Sequence, residues 1–299
     1  MSKIVTPAME QYAKKHKKVR KYSAARESWK RFKRNRTALL GLTVLALLVL
    51  MAIFAKWIAP YEFQEQIIAD AYQGPSLKHL FGTDHMGRDL FSRCVYGARY
   101  TLFLGVMCVL TGTLVGGMLG MIAGYFGGKL DNVIMRIMDI FQSIPSVLLA
   151  ISIASALGNG VPQLVFAITV SSMPNMAKNF RSAIMGVKTA DYVESSRAIG
   201  VKQIRMIFRH MVPNAIGIMV LYTVNLMAIA IGTIASLSYL GVGLNPPAAE
   251  WGLILNDAKA YFTAYPYMLL FPAIMIMIAI MALNMIGDGL RDAFDPRLK

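Results

Sequence analysis

Residues 191–214 read DYVESSRAIGVKQIRMIFRHMVPN, a polar island between two long apolar stretches. Ile204, Ile207, Phe208 and Met211 fall at i, i+3, i+4 and i+7, the spacing that lines one face of a helix. Lys202, Arg205 and Arg209 occupy much of the remaining surface, Gly200 breaks the segment and Pro213 closes it. In a membrane protein such a segment, held on one side of the bilayer, is offered to a partner. Its meaning therefore depends on the apolar sequence around it.

The 299 residues are 56% hydrophobic and only 16% charged, with a mean hydropathy of +0.50. Soluble domains carry about 25% charged residues, so this is a membrane composition. Six segments are long and apolar enough to cross a bilayer: 37–59, 100–124, 137–157, 161–179, 214–243 and 267–287. About twenty helical residues cover the ~30 Å hydrocarbon core. Polar residues and Pro145 and Pro174 interrupt the third and fourth, where a proline kinks or breaks a helix. Six is the best count, with five and seven as the alternatives. The expected fold is an all-α membrane protein of six transmembrane helices.

Charge orients the chain. Residues 1–36 hold 13 Lys and Arg against two Glu, which is +11 of the net +15. This basic segment directly precedes the first span, as a cytoplasmic flank does, and the positive-inside rule places both termini in the cytoplasm. Only Lys56, Lys78, Arg88, Arg93, Arg99 and Lys259 then fall outside it. A basic arm beside a span meets anionic lipid headgroups rather than nucleic acid. The first stretch, 37–59, exceeds a signal-peptide core of about 7–15 residues and reads as a retained anchor. The remaining organisation is an extracytoplasmic loop at 60–99, a transmembrane core at 100–287 with a cytoplasmic loop at 180–213, and a tail at 288–299.

Within this frame, Asp84, Arg88, Asp89, Arg93 and Arg99 can pair among themselves as a cap over the bundle. Gly112, Gly116, Gly120 and Gly124 recur every four residues and present one helical face on which a second backbone can approach closely. Trp251, Ile254, Leu255, Ala258 and Phe262 predict a short helix at, or dipping into, the outer interface. Cys94 and Cys108 lie 14 residues apart on one expected helix, too far for a disulfide.

Absent chemistry narrows function further. The only Gly-Lys pair, Gly128-Lys129, is followed by Leu130 and lacks the P-loop's earlier glycine. His16, His79, His85 and His210 form no ligand-spaced cluster, so no metal site is expected. No Ser-His-Asp arrangement can be argued. The span interiors carry none of the buried ionisable groups that ion-coupled carriers use; Asn225 and Asn284 are read as interhelical hydrogen-bonding residues. A bundle without its own energy source implies transport powered by a separate protein.

The island itself resembles the cytoplasmic coupling loop of type I ABC importers, E-A-A-x-x-x-G-x9-I-x-L-P. Glu194-Ser195-Ser196, Gly200 and His210-Met211-Val212-Pro213 stand at the matching positions, with Ser for Ala, His for Ile and Val for Leu as departures. FGTDHMGRDLFSR at 81–93, YFGGKLDNVIMRIMD at 125–139, LSYLGVGLNPPAAEWG at 237–252 and the tail GDGLRDAFDPRLK are similar, in the expected order, to the C-type permease subunit of the dipeptide/oligopeptide/nickel importer family. The resemblance implies the type I importer permease fold in a bacterial plasma membrane, crossing it several times. It implies a non-catalytic subunit with no cofactor of its own, ATP and Mg binding instead to two cytoplasmic ATPase subunits. The other implied partners are a second, B-type permease, an extracytoplasmic binding protein and membrane lipids. Asp191, Tyr192, Glu194, Ser195, Ser196, Ala198, Gly200, Ile204, Ile207, Phe208, Arg209, His210, Met211 and Pro213 would then form the ATPase-coupling loop. Glu194 either caps neighbouring helix amides or pairs with a partner's Arg. Di- or oligopeptides are the expected cargo, with nickel chelates, glutathione, opines or small oligosaccharides on the same machinery as the alternative. A stand-alone channel or ion-coupled carrier is the reading from another class. The substrate-binding residues are not named by the sequence.

Overall fold

A computed structural model describes residues 24–294, and the expectations for the basic arm before residue 24 and for the last five residues lie outside it. An apolar chain in lipid has to satisfy its backbone hydrogen bonds internally, and helices do so within one segment. The described elements are helical, apart from one isolated bridge between Thr83 and Asp89. The helices are α1 (Ala24–Phe32), α2 (Arg36–Ile53), α3 (Leu90–Phe126), α4 (Gly128–Gln142), α5 (Ser146–Leu157), α6 (Val161–Lys188), α7 (Asp191–Ala198), α8 (Gln203–Tyr239), α9 (Trp251–Ala258) and α10 (Tyr267–Phe294). Helix α10 packs along α2 and α8, and α6 packs along α3, α5 and α8.

Four of these, α2, α3, α8 and α10, are long and apolar enough to cross a bilayer. The expected third span is not one straight helix: α4 and α5 meet at an 80° bend, and they add a fifth span only if the bent pair is counted as one. Pro145 sits at that corner with an extended ψ of 129°, where its ring stops the preceding helix. Pro174, by contrast, lies inside an unbroken α6. This helix has the length of a span at 28 residues, but it carries Lys178, Arg181 and Lys188 in its second half. The count of six therefore depends on a helix that is long enough without being uniformly apolar.

Helix α3 begins ten residues before the expected span. Asp89 caps it, its carboxylate accepting the Ser92 amide at 2.7 Å, and the outer loop ends there rather than at residue 99. The charge of Arg93 and Arg99 hid this start from hydropathy. Arg93 is buried because its charge is answered locally: it donates to Asp84 at 2.6 Å and to Asp257 at 3.2 Å. Arg88 donates to the same two carboxylates, at 2.5 and 3.0 Å. Asp89 also meets His79 at 2.9 Å, while Arg99 reaches only the Ile53 carbonyl. The expected pairing thus holds for Asp84, Arg88 and Arg93, recruits Asp257 from the far end of the chain, and leaves Arg99 out. Helix α9 dips inward rather than lying on the surface. Trp251, Ile254 and Ala258 are buried, the Trp251 indole donates to the Cys94 carbonyl at 2.8 Å, and Phe262 falls outside the helix and is exposed.

Candidate functional site

The island is built as a bent pair. After α6, a short link leads into α7, whose first turn carries Asp191 and Glu194, the favourable end for acidic groups in the helix dipole. Residues 199–202 then turn the chain into α8. Gly200 makes that turn at φ +75°, a left-handed conformation that costs an L side chain roughly 1–2 kcal/mol. Nothing would crowd a Cβ at Gly200, so its requirement is conformational and not steric.

Two expectations about this segment are corrected. Pro213 does not close the helix: it stands in the first turn of the regular part of α8, which runs unbroken from Gln203 to Tyr239. The helix passes the proline by widening into a π turn over Ile207–Met211, where the Val212 amide bonds back to the Ile207 carbonyl. The Asn214 side-chain amide donates to the His210 carbonyl at 2.6 Å. That π turn also rearranges the apolar face, because a wider turn rotates later residues off the α-helical register. Met211 is fully buried and Ile207 half-buried, packed with Met206 and Val193 against Ile184 of α6 and Tyr125 of α3. The apolar residues left facing outward are Ile199 (81% exposed), Ile204 (75%) and Phe208 (61%). Lys202, Arg205 and Arg209 are exposed around them, and His210 is half-buried.

Glu194, Ser195, Ala198 and Tyr192 are also exposed. The Ser196 hydroxyl donates to the Tyr192 carbonyl at 2.7 Å, and Glu194 makes no side-chain hydrogen bond or ion pair among the described residues. The structure thus brings together a buried inner layer (Val193, Met206, Met211) and an outward apolar triad. Sequence periodicity placed Ile204 and Phe208 in that triad but missed Ile199, because it lies beyond the helix on the turn itself.

Behind this surface the bundle is tied tightly. A Cβ on Gly116 or Gly124 would come within 2.8 Å of the Met173 and Arg181 carbonyl oxygens of α6, and one on Gly120 would meet the Ala177 carbonyl. Gly112 instead faces Leu226 and Ser172. Polar bonds reinforce the contact: Asp131 of α4 accepts from Arg181 at 2.6 and 2.7 Å, and Asp139 pairs with Lys178 at 2.7 Å.

Between α5, α6 and α8 lies a cleft of about 250 Å³. Ser171, Asn175 and Asn179 of α6 and Tyr222, Asn225 and Thr233 of α8 supply its polar lining. Asn225 and Asn284, expected to hydrogen-bond between helices, make no such bond to the described chain. The signal for the cleft was present in sequence, as Ser171, Asn175 and Asn179 recur every four residues in a largely apolar helix.

Residues 116–299 match the family of binding-protein-dependent transport system inner membrane components, and residues 23–75 match the N-terminal transmembrane domain of oligopeptide transport permease C. The chain is 40% identical over 274 residues to the glutathione transport system permease protein GsiD of Escherichia coli O6:K15:H31, covering 91% of this chain and 90% of that one. It is 38% identical to the protein of the same name from Pectobacterium atrosepticum, covering 92% and 91%. Among solved structures it superposes on the MetNI methionine ABC transporter in an inward-facing conformation, with a TM-score of 0.57 at 20% identity, covering 68% of this chain and 97% of that one. An amino acid ABC transporter solved with histidines gives a TM-score of 0.52 at 16% identity, covering 66% and 92%.

Proposed function

The chain belongs to the binding-protein-dependent transport system inner membrane components, and from that membership we propose that it is the C-type permease of an ATP-driven importer of small peptides. It is a non-catalytic, multi-pass inner-membrane subunit of an ABC importer, a bacterial machine that works with ATPase and binding-protein partners. In the proposed assembly it forms half of the pathway beside a second permease, above two ATPase subunits and below an extracytoplasmic binding protein. ATP binding closes the ATPases, and residues 191–213 transmit that motion into the bundle.

The observation that carries this reading is the outward triad of Ile199, Ile204 and Phe208, set on a turn that Gly200 fixes and backed by the buried Val193, Met206 and Met211. Exposed apolar groups backed by a buried layer suit an apolar groove on a partner, and the ring of Lys202, Arg205 and Arg209 suits a groove with an acidic rim. In the assembled transporter, Phe208→Glu is expected to weaken ATPase copurification and to lower ATP-driven uptake about thirtyfold, the effect of losing an interface anchor worth about 2 kcal/mol. The outward side chain makes folding insensitive to this change. Intact ATPase binding by the variant would refute the coupling role.

Cargo is read from the oligopeptide-permease match and from the relatives' name, since glutathione is itself a small peptide. Unlabelled di- and tripeptides and glutathione are expected to compete with labelled tripeptide uptake. If no peptide competes while another solute does, the cargo reading fails and the importer reading stands.

A further inference from the structure

Resting on the peptide reading, we infer that the cleft between α5, α6 and α8 is this chain's solute-contacting wall, and that its asparagines recognise peptide main chain irrespective of side-chain charge. The Ser146 and Tyr222 hydroxyls have no side-chain partner among the described residues, but the other three in the cleft are spent on their own helices: Ser171 donates to the Ile168 carbonyl at 3.0 Å, Ser172 to the Thr169 carbonyl at 3.2 Å and Thr233 to the Ile229 carbonyl at 2.9 Å. The amides are not. Asn175 accepts from Gln142 at 3.1 Å and keeps its own NH₂ free, and Asn179 has no side-chain partner in the described chain; Asn225 also has none, but its Oδ1 lies against Gly287 of α10. An amide left unpaired in hydrocarbon costs several kcal/mol, so these groups face water or solute rather than lipid.

An asparagine amide offers two donors and an acceptor, which complements a peptide bond through both its N–H and its C=O. The lining carries no Asp, Glu, Lys or Arg. Lys178, beside Asn179, is neutralised by Asp139 and also donates to the side-chain amide oxygen (Oε1) of Gln142. The wall therefore provides no counter-ion that would favour one class of side chain. At about 250 Å³ it falls below the ~300–1,000 Å³ of complete small-ligand pockets, as one wall of a path closed by a second permease would.

The test uses the complete transporter in proteoliposomes with radiolabelled trialanine, Ala-Lys-Ala and Ala-Glu-Ala. Each variant rate is divided by the wild-type rate for the same peptide, so preferences of the binding protein cancel. Asn179→Leu is expected to lower all three by a common factor of about five- to tenfold, the loss of one or two hydrogen bonds. Asn179→Asp is expected to split them, retaining Ala-Lys-Ala about tenfold better than Ala-Glu-Ala. Unchanged rates in both variants, or no charge dependence in the Asp variant, would overturn the inference while leaving the peptide reading in place. Loss of the second permease on copurification of Asn179→Leu would also overturn it, by making the cleft a subunit interface. A wild-type transporter that carries none of the three peptides removes the cargo reading and this inference with it.

Discussion

Gly120→Val is expected to prevent the chain from accumulating in folded form. The position leaves no space: an added Cβ meets the Ala177 carbonyl oxygen and stands 2.8 and 2.9 Å from the Ala177 carbonyl carbon and Cα. These are backbone atoms of a helix, so no side-chain rotamer change can relieve the clash. Relief requires α3 and α6 to separate along their length. That separation also loosens the contacts of Gly116 with Met173 and of Gly124 with Arg181, and it strains the Asp131–Arg181 pair. Overpacking costs typically 1–3 kcal/mol when side chains can yield, and here about 3 kcal/mol or more is expected because they cannot. Fluorescence size-exclusion and thermal unfolding in detergent measure it. Gly186→Ala is the matched control, on α6 with open space around its Cβ; it should be neutral or stabilise by about 0.5–1 kcal/mol. A folded Gly120→Val chain with wild-type melting would refute the packing argument.

The second large effect lies in the outer cap. Asp84 accepts from Arg88 and Arg93 and from the backbone amides of Met86 and Arg88, both at 2.9 Å. Asp84→Asn leaves two buried guanidiniums sharing the single carboxylate of Asp257, and stripping one partner from a buried ion cluster costs about 3–5 kcal/mol. The pH dependence has a definite sign. Burial pushes the Asp84 carboxyl up, but the Arg93 and Arg88 guanidiniums and the two amides outweigh it and hold the group below its ordinary value of 3.8. A depressed carboxylate stabilises the fold above its unfolded pKa and loses that contribution as pH falls through the folded one. The difference in melting between wild type and Asp84→Asn should therefore be constant from pH 5 to 8 and shrink below about pH 4. A difference that already shrinks near pH 6 would assign the stabilisation to another group.

Much of the architecture was legible without coordinates because lipid leaves a chain few choices. Long apolar runs become helices, and four of the six expected spans have counterparts in α2, α3, α8 and α10. The cap's partners were half visible: Asp84, Arg88 and Arg93 are close in sequence, but Asp257 is 164 residues from Arg93 and only folding brings it near. Where hydropathy misjudged boundaries, at Leu90 and Gln203, charged residues sat on helices whose tertiary neighbours answer the charge or whose helix extends beyond the bilayer. A window of residues sees the charge and not the answer.

Residues 191–214 separate the two kinds of information most sharply. Composition and spacing alone determined that residues 191–214 form a polar element between apolar stretches of a membrane protein, and that Gly200 marks its break. Which side chains it presents was decided by tertiary structure. The π turn that carries α8 past Pro213 rotates Met211 into the core, and the Gly200 turn sets Ile199 outward. Periodicity assumes one uniform helix, whereas the chain changes its helical pitch where proline withholds an amide. Only the neighbouring α6 and α3 determine which face is then covered.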